Sequence, residues 1–125
     1  MDLINKDEVS DVIRQASARF IMPRFKALKD HEISSKTAPN DLVTLADIEA
    51  EAFLEKELPK IKAGSFVMGE EGVSRGEHSM DDLKNADNTV WVVDPVDGTH
   101  NFVHGNDKFA VMVALVQDGV TICGW

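Results

Sequence analysis

The sequence predicts an α+β fold in which N-terminal helices pack on a largely antiparallel sheet. In the first half, apolar residues recur at three- and four-residue spacing, as on one face of a helix. In the second half, short β-branched and aromatic runs are separated by turn residues. The 125 residues and 43% hydrophobic content are typical of one domain with a packed core, so we expect a single domain over residues 1–125.

Two helices are predicted before the first strand. The apolar spacing of residues 6–29 favours one helix, which Pro23 should kink or split because proline lacks a backbone donor. Residues 30–41 are polar and indicate a loop. The second helix should begin near Leu45 and run through KELPKI, with Thr44 as N-cap and Asp47 completing a capping box.

The strands are predicted in the second half of the chain. GSFVMGEEG at 64–72 and NTVWVVD at 88–94 are β-type runs, and residues 72–87 between them look like a surface loop. Two apolar runs in 109–125 flank Gln-Asp-Gly, which predicts a hairpin. The last strand runs to Trp125 without a covering element, so we expect the chain to be a piece of a longer protein.

Charge and cysteine content narrow the functional classes. The net charge of -9 argues against non-specific binding to nucleic acid or anionic membranes. A single cysteine, Cys123, rules out an internal disulfide and a multi-cysteine zinc site, and we expect it to be a small buried apolar residue. The sequence shows neither a secretory signal nor a run of membrane-spanning length, which predicts a cytoplasmic protein.

Two aspartates mark the end of the TVWVVD strand. Pro95 should bend the chain there, turning Asp94 and Asp97 to the same side with the carbonyl of Val96 between them. Gly98 then allows close approach, and Thr99 can begin a short helix whose free N–H groups suit a phosphate. Taken alone, however, DPVDG is more typical of a simple turn.

Acidic residues also end the preceding strand. Because adjacent residues of an extended strand face opposite ways, only one of Glu70 and Glu71 should point with Asp94 and Asp97. Like charges about 4 Å apart cost on the order of 4 kcal/mol per pair at an effective dielectric near 20, so cations should offset them. An all-oxygen set suits Mg²⁺, or Mn²⁺ and Ca²⁺ more loosely. Beside a phosphate-binding helix, such a set predicts metal-assisted phosphoryl transfer to water.

Other polar residues leave alternatives open. The capping pair explains the spacing of Thr44 and Asp47, but Asp47 with the hydroxyl of Thr99 could also accept a proton from water, and both interpretations can hold. His100 and His104 have the spacing of a zinc pair without an evident third ligand, so we expect them to be structural or solvent-facing.

Three segments together resemble the inositol monophosphatase family of Mg²⁺-dependent, lithium-sensitive phosphatases: KTAPNDLVTLAD at 36–47, GEE at 69–71 and WVVDPVDGTHNFVHG at 91–105. The resemblance implies metal binding by Glu70, Asp94, Asp97 and the carbonyl of Val96. It implies substrate binding by Glu70, Val96, Asp97, Gly98 and Thr99, and catalysis by Asp47, Glu70 and Thr99. Lys36 would lie in a mobile loop near the site.

The function implied by the resemblance is hydrolysis of inositol monophosphate by a metal-activated water, in a homodimeric full-length enzyme. Related substrates are 3'-phosphoadenosine 5'-phosphate, fructose 1,6-bisphosphate and histidinol phosphate. A non-catalytic divalent-metal-binding module is the alternative of another class. Because nothing matches the family's C-terminal WD-x-x-AG-like element, we expect this chain to be the N-terminal half, with little or no activity alone.

Overall fold

The computed structural model describes residues 4–35, 42–74, 76 and 89–125. Its helices are α1 (Lys6–Ala16), α2 (Leu45–Ile61), α3 (Glu70–Ser74) and α4 (Thr99–Val103). Its strands are β1 (Ile33–Ser35), β2 (Leu42–Thr44), β3 (Phe66–Gly69), β4 (Thr89–Asp97), β5 (Ala110–Gln117) and β6 (Val120–Gly124). Helices packed on a sheet confirm the α+β class.

The main sheet has the order β3-β4-β5-β6. The pairs β4–β5 and β5–β6 are antiparallel, as predicted, but β3 and β4 run parallel, so the sheet is mixed. β1 and β2 form a separate antiparallel pair. The predicted hairpin is confirmed, and Asp118 and Gly119 at its turn both have positive φ, as a two-residue hairpin loop requires.

The predicted first helix is split, as expected from Pro23. α1 continues as a π-helical turn over Ser17–Ile21 and a 3-10 turn over Met22–Arg24. The predicted loop at residues 30–41 is partly wrong, because Asp30–Glu32 is a 3-10 turn and β1 follows it. Ile33 is the one apolar residue of β1, so the sequence there shows no alternation that would indicate a strand. Residues 36–41 lie outside the described residues.

The described residues form three apolar clusters, and the two largest join the helices to the main sheet. The main core joins α1 and α2 to one face of the sheet, and its members are Val9, Val12, Ala16, Leu54, Leu58, Val67, Trp91, Val93, Val113 and Leu115. Cys123 packs against this core but is only partly buried, so it is more exposed than predicted. The second cluster consists of Ile21, Ala46, Ala50, Val96 and Phe102, and it joins the first turn of α2 to the end of β4 and to α4.

Candidate active site

The end of β4 carries an irregularity at the two aspartates. β4 pairs regularly with β5 from Thr89 to Asp94, and the register then shifts before Asp97. Pro95 lies within the shift, where its missing N–H removes a ladder bond. The predicted bend is therefore a bulge inside β4, which runs on through Asp97. Val96 is buried in the second cluster, which fixes the direction of the bulge.

Gly98 joins the bulge to α4 in a conformation that favours glycine. Its φ is +89°, and a Cβ atom there would lie 2.9 Å from the carbonyl oxygen of Lys108. Its own carbonyl accepts the first helical bond, from the N–H of Phe102 at 3.0 Å. The predicted short helix is confirmed, and Thr99 is its first residue.

A buried hydrogen-bond network links α2 to α4 through Asp47. Oδ2 of Asp47 accepts from the hydroxyl of Thr44 at 2.6 Å and from its N–H at 2.9 Å. Oδ1 of Asp47 accepts from the hydroxyl of Thr99 at 3.0 Å. The capping box is confirmed, because the side chain of Thr44 also accepts from the N–H groups of Ala46 and Asp47. Each carboxylate oxygen of Asp47 thus has its own partner, which lets Asp47 cap α2 and contact Thr99 at once.

Burial of Asp47 raises the pKa of its carboxyl group. The side chain is fully buried, and this burial raises the pKa of its carboxyl above 3.8, although hydrogen bonds from Thr44 and Thr99 oppose the rise. The Thr99 oxygen also lies 3.0 Å from the carbonyl oxygen of Val96. A hydroxyl has one proton to donate, so Thr99 can serve only one of these acceptors fully at a time and retains lone pairs to accept a bond from water.

Glu70 and Asp94 meet at the carboxyl edge of the sheet. Because β3 and β4 run parallel with Gly69 paired to Val93, the residues that follow these two lie level with each other. Glu70 and Asp94 are hydrogen-bonded. The pKa of Asp94 is raised to about 8, chiefly by burial and then by the hydrogen bond and negative charge of Glu70, with smaller contributions from the charges of Asp97 and Asp47.

The two glutamates after β3 have different surroundings, as predicted. The prediction assumed that both lie in an extended strand, and that assumption was wrong. Glu70 and Glu71 begin α3 and are not part of an extended strand. Glu70 is exposed, whereas Glu71 is 4% exposed. The predicted surface loop at 72–87 is also partly wrong, since α3 includes its first residues, and most of the remainder lies outside the described residues.

The acidic edge has the chemistry of a cation site that is open on one side. Oδ1 of Asp94 is buried and has no hydrogen-bond partner among the described residues. A carboxylate oxygen in that position is stabilised by a bound cation. Within the described part of the chain, no three acidic, histidine or cysteine side chains are close enough to hold a metal by themselves. Mg²⁺ usually keeps several waters and takes only one or two protein carboxylates, so this edge fits it.

Sequence reasoning missed one acidic residue of this region, Glu51. It is 3% exposed, and its two oxygens accept from the N–H groups of Glu71 at 2.8 Å and Gly72 at 2.9 Å. A signal was available, because Glu51 lies one turn after Asp47 on the same face of α2, next to the apolar Ala50 and Leu54. A carboxylate on an apolar helix face needs partners.

Three further predicted residues, Asp97, His100 and His104, are exposed, and a fourth lies outside the described residues. Asp97 is exposed at the end of β4, and only its charge is seen to act on Asp94. His100 and His104 are both exposed and stack on each other with ring centroids 4.2 Å apart, which agrees with the expectation that they are structural or solvent-facing. Lys36 lies outside the described residues.

Fold and site together define a class: an α+β protein with a carboxylate edge at strand ends, next to a buried Thr-Asp-Thr network. The model of the inositol monophosphatase family matches residues 5–125, so the chain belongs to the inositol monophosphatase family. It is 34% identical over 121 residues to the inositol-1-monophosphatase of Bacillus subtilis, covering 94% of this chain and 42% of the relative. It is 39% identical over 92 residues to inositol monophosphatase 1 of Sus scrofa, covering 73% of this chain and 32% of the relative.

Solved structures agree with this assignment. An IMPase of Thermotoga maritima superposes with a TM-score of 0.74 at 28% identity, covering 94% of this chain and 41% of that structure. The chain thus spans about a third to two fifths of the length of these relatives. Every helix in the described part of the chain is too short or too polar to cross a membrane.

Proposed function

We propose that this chain forms the metal-binding and phosphate-binding half of a Mg²⁺-dependent phosphomonoesterase that hydrolyses inositol monophosphate to inositol and phosphate. The observation that carries the proposal is the adjacency of two features, the Glu70–Asp94 pair and the Thr99–Asp47 hydrogen bond, at one end of β4. The names of the relatives favour inositol phosphates over the other sugar and nucleotide phosphates considered from the sequence.

The proposed cation ligands are the carboxylates of Glu70, Asp94 and Asp97 and the carbonyl of Val96. When Thr99 donates its one proton to Asp47, the carbonyl oxygen of Val96, 3.0 Å away, keeps its lone pairs for a cation. Bound Mg²⁺ would neutralise charge on the phosphoryl oxygens and lower the pKa of the attacking water. Among the described residues, no activated serine, cysteine or histidine nucleophile lies beside these ligands, which favours direct attack by water.

Thr99 and Asp47 are the proposed route for the proton. The hydroxyl of Thr99 would accept a proton from the attacking water while it donates its own to Oδ1 of Asp47, at 3.0 Å. The raised pKa of Asp47 makes it a better proton acceptor than an exposed aspartate. Gly98 and Thr99 would hold the phosphate with backbone N–H groups. The water oxygen would bond to phosphorus as the bond from phosphorus to the ester oxygen breaks, and the leaving oxygen would take a proton from solvent water to give the alcohol.

The proposal extends to the protein's assembly and location. We propose a cytoplasmic protein that takes a small phosphate ester as substrate, binds neither nucleic acid nor membranes, and is a homodimer in a form with the length of its relatives. The net charge of -9 supports the absence of a nucleic-acid or anionic-lipid partner.

Phosphate release from inositol 1-phosphate tests the proposal. It is measured with and without Mg²⁺ and Li⁺, for the 125-residue chain and for any longer form that its coding sequence specifies. We expect Mg²⁺-dependent, Li⁺-sensitive release from the longer form and little from the chain alone. Asp94→Asn should abolish turnover while leaving the fold intact, whereas Asp118→Asn, in the hairpin turn, should not change it. Release that ignores both ions, or that survives Asp94→Asn, would refute the metal-phosphatase proposal.

Mg²⁺ binding without phosphate release would distinguish a non-catalytic metal-binding module from a phosphatase. A non-catalytic module would bind Mg²⁺ through the same carboxylates, but its longer form would release no phosphate from any ester of the superfamily. Calorimetric titration of the chain with Mg²⁺, next to the activity assay, distinguishes the two outcomes.

A further inference from the structure

Glu51 is a buried acidic residue that the proposed reaction leaves without a role. Both oxygens of its carboxylate accept backbone N–H bonds from α3, at 2.8 Å and 2.9 Å. Bonds of this charge-assisted kind are about twice as strong as neutral ones. The Glu51 side chain is 3% exposed, and burying a carboxylate without hydrogen-bond partners is costly. These two N–H groups therefore fix the position of the carboxylate relative to α3.

The residue before α3 leaves room for this carboxylate. Gly69, the last residue of β3, lies directly against the Glu51 side chain, and an ideal Cβ at this glycine would overlap the carboxylate. Glu51 and Gly69 therefore fit each other closely. The contact joins α2 to the turn between β3 and α3, where Glu70 lies between Gly69 and the bonded N–H of Glu71.

α3 depends on such contacts for its position. It has five residues, and a helix this short has little stability of its own. Two of its N–H groups are bound by Glu51, and these are the donors that a first helical turn otherwise leaves unsatisfied. The same face of α2 carries Asp47 one turn earlier, so one rigid helix holds both the partner of Thr99 and the anchor of α3.

We infer that Glu51 is a positioning residue that holds the first turn of α3 so that Glu70 stays against Asp94, and that cation binding at this edge depends on it. The inference rests on the proposed role of Glu70 and Asp94 as cation ligands. Residues that orient metal ligands without touching the metal commonly change metal affinity about 10- to 100-fold when replaced.

Mn²⁺ binding to the 125-residue chain, followed by electron paramagnetic resonance of the free ion, tests the inference. Glu51→Gln keeps the shape but places an amide donor against one of the two N–H groups, so one bond is lost. Glu55→Gln, on the exposed side of α2, is the matched control because it removes the same charge. We expect Glu51→Gln to weaken Mn²⁺ binding about tenfold or more, and Glu55→Gln to leave it unchanged.

Amide hydrogen exchange supplies a readout that needs no metal. The N–H groups of Glu71 and Gly72 should exchange faster in Glu51→Gln than in the control, while amides in the middle of β4 keep their protection. If Glu51→Gln fails to fold, Gly69→Ala replaces it, since its new methyl group would overlap the Glu51 carboxylate and displace it, and the same weakening is expected.

The outcomes are distinguishable. A folded Glu51→Gln chain, or a folded Gly69→Ala chain in its place, that binds Mn²⁺ as tightly as the parent would overturn the inference and leave the proposed function standing. Equal weakening by Glu55→Gln would also overturn it, because the effect would then come from net charge. A parent chain that does not bind Mn²⁺ at all would overturn both the inference and the assignment of Glu70 and Asp94 as ligands.

Discussion

Replacing Thr44 by valine tests the buried network that joins the cap of α2 to the candidate site. The two side chains have nearly the same shape, so the change removes the hydroxyl without opening a cavity. Thr44 is 1% exposed and Asp47 is fully buried, so water cannot replace the lost bonds. The variant loses the N-cap bonds to Ala46 and Asp47 and the 2.6 Å bond to Oδ2 of Asp47.

The expected loss follows from these contacts. Removing a threonine N-cap costs about 1 kcal/mol, and a hydrogen bond to a charged group contributes about 1.5 to 3 kcal/mol. Asp47 keeps its bonds from the backbone N–H of residue 44 and from the hydroxyl of Thr99, which limits the total loss. We expect the free energy of unfolding to fall by about 3 kcal/mol, with Tm lower by roughly 10 °C.

Urea denaturation followed by circular dichroism measures this loss. Thr44→Ser is the control, because it keeps the hydroxyl and loses one methyl group, at a cost of about 1 kcal/mol. If Thr44→Val is as stable as Thr44→Ser, the hydroxyl does not contribute as described and the network argument is refuted.

Two further predictions concern the same end of the sheet. Gly98→Ala should destabilise the chain by more than the roughly 1–2 kcal/mol of a left-handed alanine, because the new methyl group meets the carbonyl oxygen of Lys108 at 2.9 Å. Gly64→Ala, with φ +80° and nothing within 4 Å, isolates the backbone cost in the same unfolding assay, and equal losses would contradict the crowding argument. The second prediction concerns pH. The pKa of Asp94 is about 8 in the folded chain and 3.8 ordinarily, so the folded state holds this proton more tightly. Stability in metal-free buffer should therefore fall as pH rises from about 4 to 8. Asp94→Asn should flatten that slope, and an unchanged slope would contradict the assignment.

Local sequence signals predicted the elements whose stability is local. The cap of α2, the break at Pro23 and the hairpin turn at Asp118 and Gly119 each depend on residues within a few positions of one another. Such patterns are read directly from the sequence, and the structure confirms all three.

Other features depend on contacts between distant residues. The parallel pairing of β3 with β4 and the helical start at Glu70 are decided by packing across the sheet and by Glu51, about 20 residues away in sequence. The two carboxyl groups at the sheet edge could be predicted because each follows an apolar run. Glu51 could not be assigned a partner, since an acid on an apolar helix face indicates that partners exist but does not say which N–H groups they are.

The arrangement of α2 has a consequence for how sequences in this family can vary. Asp47 and Glu51 lie four positions apart, which is about 6 Å of rise along the helix axis. One inserted or deleted residue between them would rotate the second acid by about 100° around the axis and carry it off the shared face. Loops elsewhere in the chain can change length, but D-x-x-x-E should tolerate no gap. Together with a downstream G-E-E and D-P-x-D-G-T, this spacing forms a sequence signature. The signature identifies the glutamate that bonds to α3 and the acidic residues proposed to bind the cation.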